Sequence, residues 1–130
     1  MIVNLTQHPA TPEQVAAGVV DLAPARRADL VELLTFDEIP ERSDMLERAH
    51  AIAELHWRES DVAEDGPVHA AMIGGAPFFM ASLECVLRES GITPLYAFSR
   101  RESVEETQPD GSVRKINVFR HAGFVGLGDD

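Results

Sequence analysis

The first fourteen residues constrain the fold most, because they combine a short strand with a complete helix start. Residues 1–5, Met-Ile-Val-Asn-Leu, are typical of a short buried strand. Thr11, Pro12 and Gln14 then predict a helix, with Thr11 at the N-cap, Pro12 at the first helical position and Gln14 placed to complete a capping box. A polar turn joins the two elements. Such turns at the carboxyl ends of strands are where open α/β sheets bind ligands.

Further elements alternate along the chain in the same way. Apolar runs predict strands at residues 19–22, 69–73 and 93–98, and hydrophobic periodicity predicts helices at 12–17, 29–34, 41–58 and 78–90. Residues 109–111, Pro-Asp-Gly, predict the turn of a hairpin that joins residues 104–107 to 112–119. We therefore expect an α/β fold in which helices cover a mostly parallel sheet, with an antiparallel hairpin at its edge. Residues 1–125 form one domain in this interpretation, and residues 126–130 a frayed tail.

The composition excludes several classes of function. A net charge of −11 argues against general binding to nucleic acid or to anionic membranes. We expect no signal peptide, and no apolar run is long enough to span a bilayer. Its single cysteine, Cys85, cannot form an internal disulfide, which favours a reducing, cytoplasmic setting. No Cys, His or Asp cluster has zinc spacing, so we expect neither a metal nor a cofactor.

The charge is distributed unevenly. Residues 1–98 carry 6 Lys and Arg against 16 Asp and Glu, whereas residues 99–121 carry 5 basic against 4 acidic side chains. Nearly half of the basic residues therefore lie in one short segment of an acidic protein. This pattern favours a local pocket for a small anion, although a solvated hairpin of mixed charge explains it as well.

Three predicted loops would meet at one edge if the strands at 1–5, 69–73 and 93–98 are parallel. These loops carry the polar and flexible residues Thr6, Gln7, His8, Gly74, Gly75, Ser99, Arg100 and Arg101. Glycines let backbone N–H groups approach a phosphate at the start of the following helix, and an arginine would neutralise its charge. Alternatively, the glycines only allow close packing of that helix on the sheet, and the arginines are surface charges.

Two histidines are candidates for proton transfer. His8 lies in the first loop and His121 near the end of the last strand, and an imidazole titrates near neutral pH. With Arg100, they form the predicted catalytic set. Alternatively, His8 only caps its turn. Nucleophilic catalysis has no candidate, because the chain lacks a Gly-x-Ser-x-Gly elbow and Cys85 lies inside a predicted helix.

The segment from Asn4 to Gln14 resembles the opening of several small CRISPR-associated proteins. Those proteins are single-domain relatives of the CRISPR-associated Rossmann-fold (CARF) sensors, which bind cyclic oligoadenylates, and some members of the wider group are ring nucleases. The segment is also similar to small bacterial and phage proteins with the same opening. The resemblance covers about a tenth of the chain. It implies a Rossmann-like sheet, a cyclic oligoadenylate ligand and a role in phage defence.

We therefore expect a small nucleotide-binding α/β protein that binds or cleaves a cyclic oligoadenylate without a metal. Cleavage would require orientation of a ribose 2′-hydroxyl, stabilisation of phosphate charge and transfer of a proton. The sensors that the opening resembles pair around a shared ligand, so the chain is a candidate homodimer. The alternative is a non-catalytic phage or host accessory protein that acts through its acidic surface.

Overall fold

The computed structural model describes residues 1–63 and 66–126, which form alternating strands and helices. In chain order the elements are β1 (Ile2–Leu5), α1 (Pro12–Ala16), β2 (Val19–Asp21), α2 (Pro24–Leu33), α3 (Arg42–Asp61), β3 (Ala70–Ile73), α4 (Pro77–Glu89), β4 (Thr93–Thr107) and β5 (Val113–Gly126).

The strands form one sheet in the order β2-β1-β3-β4-β5. Neighbouring strands from β2 to β4 are parallel, and β5 pairs antiparallel with β4. The prediction of an α/β fold with a mostly parallel sheet and an antiparallel hairpin at the edge is therefore confirmed. After β1 the chain runs through α1 to β2 on one side of β1, and after β3 it runs through α4 to β4 on the other side of β3. The carboxyl ends of β1 and β3 therefore flank the point where ligands bind in sheets of this kind.

The core lies between the sheet and the three longer helices. Val3 and Leu5 of β1 and Ala71 and Ile73 of β3 belong to the same buried cluster as residues of α2, α3 and α4. Parallel crossovers are right-handed, so α1, whose connection runs in the opposite direction, covers the other face of the sheet. Alternation along the strands places Asn4 and Met72 on that second face. Both are buried there.

The hairpin is longer than the sequence predicts. We expected separate strands at residues 93–98 and 104–107, with Ser99, Arg100 and Arg101 in a loop, but β4 is continuous from Thr93 to Thr107. The reason is that β5 pairs with β4 along this whole polar stretch and satisfies its backbone groups. Because β3 pairs with β4 only as far as Leu95, residues 99–121 form a two-stranded arm beyond the sheet.

A β-bulge lies at the base of the arm. The register shifts between Phe98 and Ser99, where β5 contributes one extra residue. Gly123, the partner of Phe98, has a φ of 147°, which residues with a side chain rarely adopt. The bulge fits the position where the strands leave the parallel sheet, because bulges bend a strand and increase its twist.

The remaining boundaries differ in detail. Helix α2 begins at Pro24, five residues before its predicted start, and α3 continues to Asp61. Gly126 pairs with Leu95 in β5 instead of fraying, and the rest of the predicted frayed tail, residues 127–130, lies outside the described residues. None of the helices in the described ranges combines the length and apolar character needed to cross a bilayer. The cytoplasmic location stays a prediction.

Candidate ligand-binding crevice

The buried side chain of Asn4 makes hydrogen bonds that hold the turn after β1. Its Nδ2 donates hydrogen bonds to the His8 carbonyl and to Asp21 Oδ1, both at 2.8 Å. Its Oδ1 accepts bonds from the Thr6 backbone N–H at 2.9 Å and from Thr6 Oγ1 at 2.7 Å. Asn4 is fully buried while Thr6 and His8 lie closer to the surface, so these bonds are partly shielded from water. One amide thereby fixes the direction of the chain from Thr6 to His8.

Residues from other elements hold the same turn. Asp21, at the end of β2, also accepts a bond from the Ala10 N–H at 3.0 Å. Arg27 of α2 donates to the Gln7 carbonyl at 2.7 Å, and Gln7 Nε2 donates to Thr35 Oγ1 at 3.3 Å. The polar loop is therefore tied to β2, to α2 and to the residues that follow α2. Such ties preorganise a loop for binding.

Helix α1 begins with the predicted capping box. Thr11 Oγ1 accepts a bond from the Gln14 N–H at 3.2 Å, and Gln14 Oε1 accepts one from the Thr11 N–H at 3.0 Å. This prediction is confirmed in full. The box stabilises the first turn of α1, which follows directly on the polar loop.

The turn after β3 depends on Gly75. Its φ of 150° is rarely adopted by residues with a side chain, and a Cβ there would lie 3.4 Å from Met80 Cε. At Gly74 a Cβ would meet Thr6 Cγ2 at 3.5 Å, an ordinary contact. Gly75 is thus required by the backbone, whereas Gly74 only places the backbone beside Thr6. The N-cap of the following helix α4, Ala76, supplies no side-chain cap.

These two turns enclose a crevice of about 390 Å³ at the carboxyl ends of β1 and β3. Thr6, Gln7, His8, Gly74 and Gly75, five of the predicted site residues, line it. Met72 and Ala97 supply apolar surface, and Thr11 and Gln14 of the capping box form part of its wall. Among the lining residues His8 alone is ionisable, so the crevice itself contains polar groups but no fixed positive charge.

The predicted residues of the third loop lie on the arm and do not line the crevice. Alternation along β4 places Ser99 and Arg101 on the face of Ala97, which is the face of the crevice. His121 pairs with Ser99 and shares that face. Arg100 lies on the opposite face, directly across from Arg120. The structure therefore brings Ser99, Arg101 and His121 to the side of the crevice, but not Arg100.

His121 is attached to α1 beside the crevice. Its backbone N–H donates to Glu13 Oε2 at 3.0 Å, which connects the base of the arm to the helix that follows the polar loop. Its ring stacks edge-on against Phe124 with 4.9 Å between centroids. The Nδ1 atom is buried and has no partner among the described residues. The His8 side chain, in contrast, is exposed at the mouth of the crevice.

The sequence analysis did not identify Asn4 and Asp21, whose hydrogen bonds support the turn that lines the crevice. A signal was present, because Asn4 interrupts an apolar strand, and a buried polar side chain must find hydrogen-bond partners. Within residues 1–63 and 66–126, no group of three or more His, Cys, Asp or Glu side chains is arranged to hold a metal ion.

The comparison with known families identifies the chain. The family model described as the uncharacterized protein MJ1673 family matches residues 1–125, and the chain belongs to this family. No curated protein and no solved structure matches it. Because the family description names no ligand or reaction, the resemblance to CRISPR-associated sensors stays a prediction.

Proposed function

We propose that this member of the MJ1673 family binds a phosphate-bearing nucleotide in the crevice between the β1 and β3 turns. The observation that carries the proposal is the polar turn at the sheet's switch point, which Asn4, Asp21 and Arg27 hold in place. A loop immobilised before binding loses little entropy when a ligand arrives. The crevice volume of about 390 Å³ suits part of a nucleotide.

The groups around the crevice suit a phosphate. The Thr6 hydroxyl donates its proton to Asn4, so the donors left for a ligand are the second N–H of the Gln7 amide and the His8 ring, which can carry charge. The β3–α4 turn leads into a helix of 13 residues whose N-cap provides no side-chain acceptor. Pro77 at the first position has no N–H, and the Phe79 N–H donates to the Ala76 carbonyl at 3.0 Å, so the Phe78 N–H is the donor of this turn that is left for an anion. The predicted phosphate cradle at Gly74 and Gly75 is part of this proposal.

The positive charge would come from the arm. Ser99 and Arg101 follow Ala97 by two and four residues, roughly 7 and 13 Å along an extended strand. A ligand that contacts both the crevice and Arg101 is therefore larger than one phosphate. This length favours an oligonucleotide, and the resemblance of residues 4–14 makes a cyclic oligoadenylate the first ligand to test.

The second part of the proposal is that the chain cleaves the cyclic oligoadenylate. The ribose 2′-oxygen would attack the adjacent phosphorus in line, and the bond from phosphorus to the 5′-oxygen would break. The products are a 2′,3′-cyclic phosphate and a 5′-hydroxyl. One histidine would take the 2′-hydroxyl proton and the other would give a proton to the leaving 5′-oxygen, with His8 and His121 as the candidates. Arg101 would stabilise the charge on the phosphate oxygens.

The binding test uses two adjacent arginines on opposite faces of one strand. Arg101→Ala should weaken binding of a cyclic oligoadenylate by about 1.5–3 kcal/mol, the range for a hydrogen bond to a charged group. Arg100→Ala is the matched control and should change the Kd much less. Titration calorimetry measures both. Equal losses in the two variants would show that the arm contributes only general charge, and absence of binding to the wild type would refute the proposal.

Turnover is tested separately. His8→Ala should reduce the rate of cyclic oligoadenylate cleavage by roughly 10²–10⁴-fold, a larger factor than the one by which it raises the Kd. A variant that cleaves at the wild-type rate would exclude His8 as a proton-transfer group. The binding proposal would stand in that case.

We also propose that the chain is a homodimer and that the arm carries the contact. A two-stranded ribbon is only marginally stable alone in water. The arm nevertheless exposes 69% of Phe119 and 59% of Val113. Those two side chains lie on the face of Arg101, and the opposite face, which we take as the contact, gathers the half-buried Val104, Ile116 and Val118, with Val104 directly opposite Ile116. Light scattering should give twice the chain mass, and Ile116→Asp should give the monomer mass. A wild-type monomer at high concentration would refute the proposal.

A second candidate function, docking of a basic partner, is favoured by the groove between α2 and α3. It has a volume of about 630 Å³, and its charged lining residues are Asp29, Glu32, Asp44, Glu47, Arg48, Glu54 and Arg58. Both arginines already pair within α3, Arg48 with Asp44 and Arg58 with Glu54. A Lys-rich peptide should therefore bind in a salt-sensitive manner and lose affinity in the E32K/E47K variant. Binding that salt and this variant leave unchanged would exclude the groove.

A further inference from the structure

An exposed apolar cluster lies at the start of α4, outside the crevice. This cluster, which we call the aromatic patch, consists of Phe36, Ile39, Pro40, Met45 and Phe78 and borders a cavity of about 560 Å³. Ile39 is 97% exposed and Phe78 is 54% exposed. Two large apolar side chains that stay in water beside a cavity indicate a contact with another molecule.

The aromatic patch is rigid. The Phe36 ring packs edge-on against Phe78 at 5.1 Å and tilted against the buried Phe79 at 5.3 Å, measured between centroids. The Arg48 guanidinium lies 4.3 Å from the centroid of Phe36. Arg48 Nη1 also donates to the carbonyls of Leu33 and Thr35, at 3.0 and 2.7 Å. The exposed Phe78 ring is therefore held in position by its neighbours.

The aromatic patch and the crevice have no lining residue in common, but neighbouring residues connect them. Gln7, which lines the crevice, donates to Thr35, the residue before Phe36. Gly75, which also lines the crevice, precedes Phe78 by three residues. A Cβ at Gly75 would lie 3.9 Å from Leu34, just before the same loop. One ligand can therefore contact both sites across Gln7 and Gly75.

We propose that the aromatic patch binds the base of the nucleotide whose phosphate occupies the crevice. This inference rests on the proposed function, because continuity with the crevice identifies the occupant. Phe78 offers a ring face for stacking, and Ile39 an apolar edge. Asp37 and Glu38 also line the cavity, and ionised carboxylates only accept hydrogen bonds. The class is therefore a base with an exocyclic amino group, such as adenine, and uracil, whose carbonyl oxygens would face the carboxylates, is disfavoured.

The experiment compares three probes, AMP, UMP and ribose 5-phosphate, by titration calorimetry on the full chain. Wild-type protein should bind AMP more tightly than UMP and ribose 5-phosphate. Phe78→Ala should weaken AMP roughly 5- to 150-fold, the range for stacking of one base on an aromatic side chain. Its affinity for ribose 5-phosphate should not change. Ile39→Ala, at a side chain 97% exposed, tests the same cavity without risk to folding.

Val62→Ala is the matched control, because Val62 is 68% exposed at the far end of α3 and should leave all three affinities unchanged. If AMP and ribose 5-phosphate bind equally and neither patch variant weakens AMP, the inference is wrong while the proposed function stands. If none of the three probes binds, the inference fails, and the cyclic oligoadenylate titration decides the proposed function separately.

Discussion

Strand β4 runs without a break from the parallel part of the sheet into the arm, yet the strands of these two regions differ in what surrounds them. Strands β1 and β3 have neighbouring strands on both sides and helices on their core face, and Val3, Leu5, Ala71 and Ile73 are almost fully buried. Beyond Leu95, β4 pairs only with β5 among the described residues, and most arm side chains are exposed. The same backbone pairing therefore supports a packed core in one region and an open ribbon in the other.

This difference assigns the two regions different tasks. The parallel sheet contains the buried network of Asn4 and the rigid turns of the crevice. The arm contains five of the eleven basic residues and, among the described residues, two of the ten exposed large apolar side chains, Val113 and Phe119. Stability should therefore respond mainly to changes in the first region, whereas recognition should respond to changes in both.

The largest expected effect contrasts two phenylalanines. Phe79 is fully buried in α4, and Phe119 is 69% exposed on the arm. Phe79→Ala should lower the free energy of unfolding by about 3–5 kcal/mol, because it leaves a cavity in the core. Phe119→Ala should change it by less than about 0.5 kcal/mol. Urea denaturation measures both, and a large loss at Phe119 would show that the arm is buried in an assembly.

A smaller effect is expected from two asparagines. Asn4→Ala removes the partners of the Thr6 N–H and the His8 carbonyl, so it should cost about 1–3 kcal/mol of unfolding free energy. Asn117→Ala, at an exposed position on the arm, is the control and should be close to neutral. Asn4→Ala should also weaken nucleotide binding. Unchanged binding in a folded Asn4→Ala protein would contradict the role assigned to the network.

The pH dependence of stability should come in part from His56 of α3. Burial lowers the pKa of this fully buried imidazole, with a smaller opposing effect from its 2.7 Å hydrogen bond to the Val68 carbonyl. The unfolded chain, with a His pKa of about 6.5, then binds more protons than the folded chain in mild acid. The contribution of His56 to the free energy of unfolding is therefore fully present above about pH 6.5. It falls as the pH drops toward the folded pKa, by at most about 1.4 kcal/mol per pH unit.

Urea titrations of the wild type and His56→Gln at pH 7.5 and pH 5 isolate this contribution, because other groups titrate equally in both proteins. The variant should lose less stability between the two values. An equal loss in both proteins would assign the pH dependence to other groups.

The smallest effect concerns the junction of the two regions. Glu13→Ala removes the acceptor of the His121 N–H and should cost about 0.5 kcal/mol, because the contact is exposed to water. Hydrogen exchange at the His121 amide should become faster, while exchange at core amides such as Leu83 stays the same. If the His121 amide exchanges at the wild-type rate, Glu13 does not hold the arm in solution.

Local patterns in the sequence determined several parts of this protein. The capping box of Thr11 and Gln14, the α/β class, the two long helices and the Pro-Asp-Gly turn follow from neighbouring residues and from hydrophobic periodicity. The meeting of Thr6, Gln7, His8, Gly74 and Gly75 in one crevice follows from the parallel arrangement expected of such strands. Their function stays a proposal.

Only the tertiary structure decided the rest. The polar stretch around Ser99 and Arg101 has no apolar alternation, and it is a strand because β5, the next strand along the chain, pairs with it antiparallel over its whole length. The same pairing fixes which face each residue occupies, and it separates Arg101 from Arg100. Asn4 also bonds to Asp21, a partner that the pairing of β2 with β1 places beside it. Hydrophobic periodicity in the sequence indicates which residues are buried, but the pairing of strands in the folded chain determines which polar groups come together.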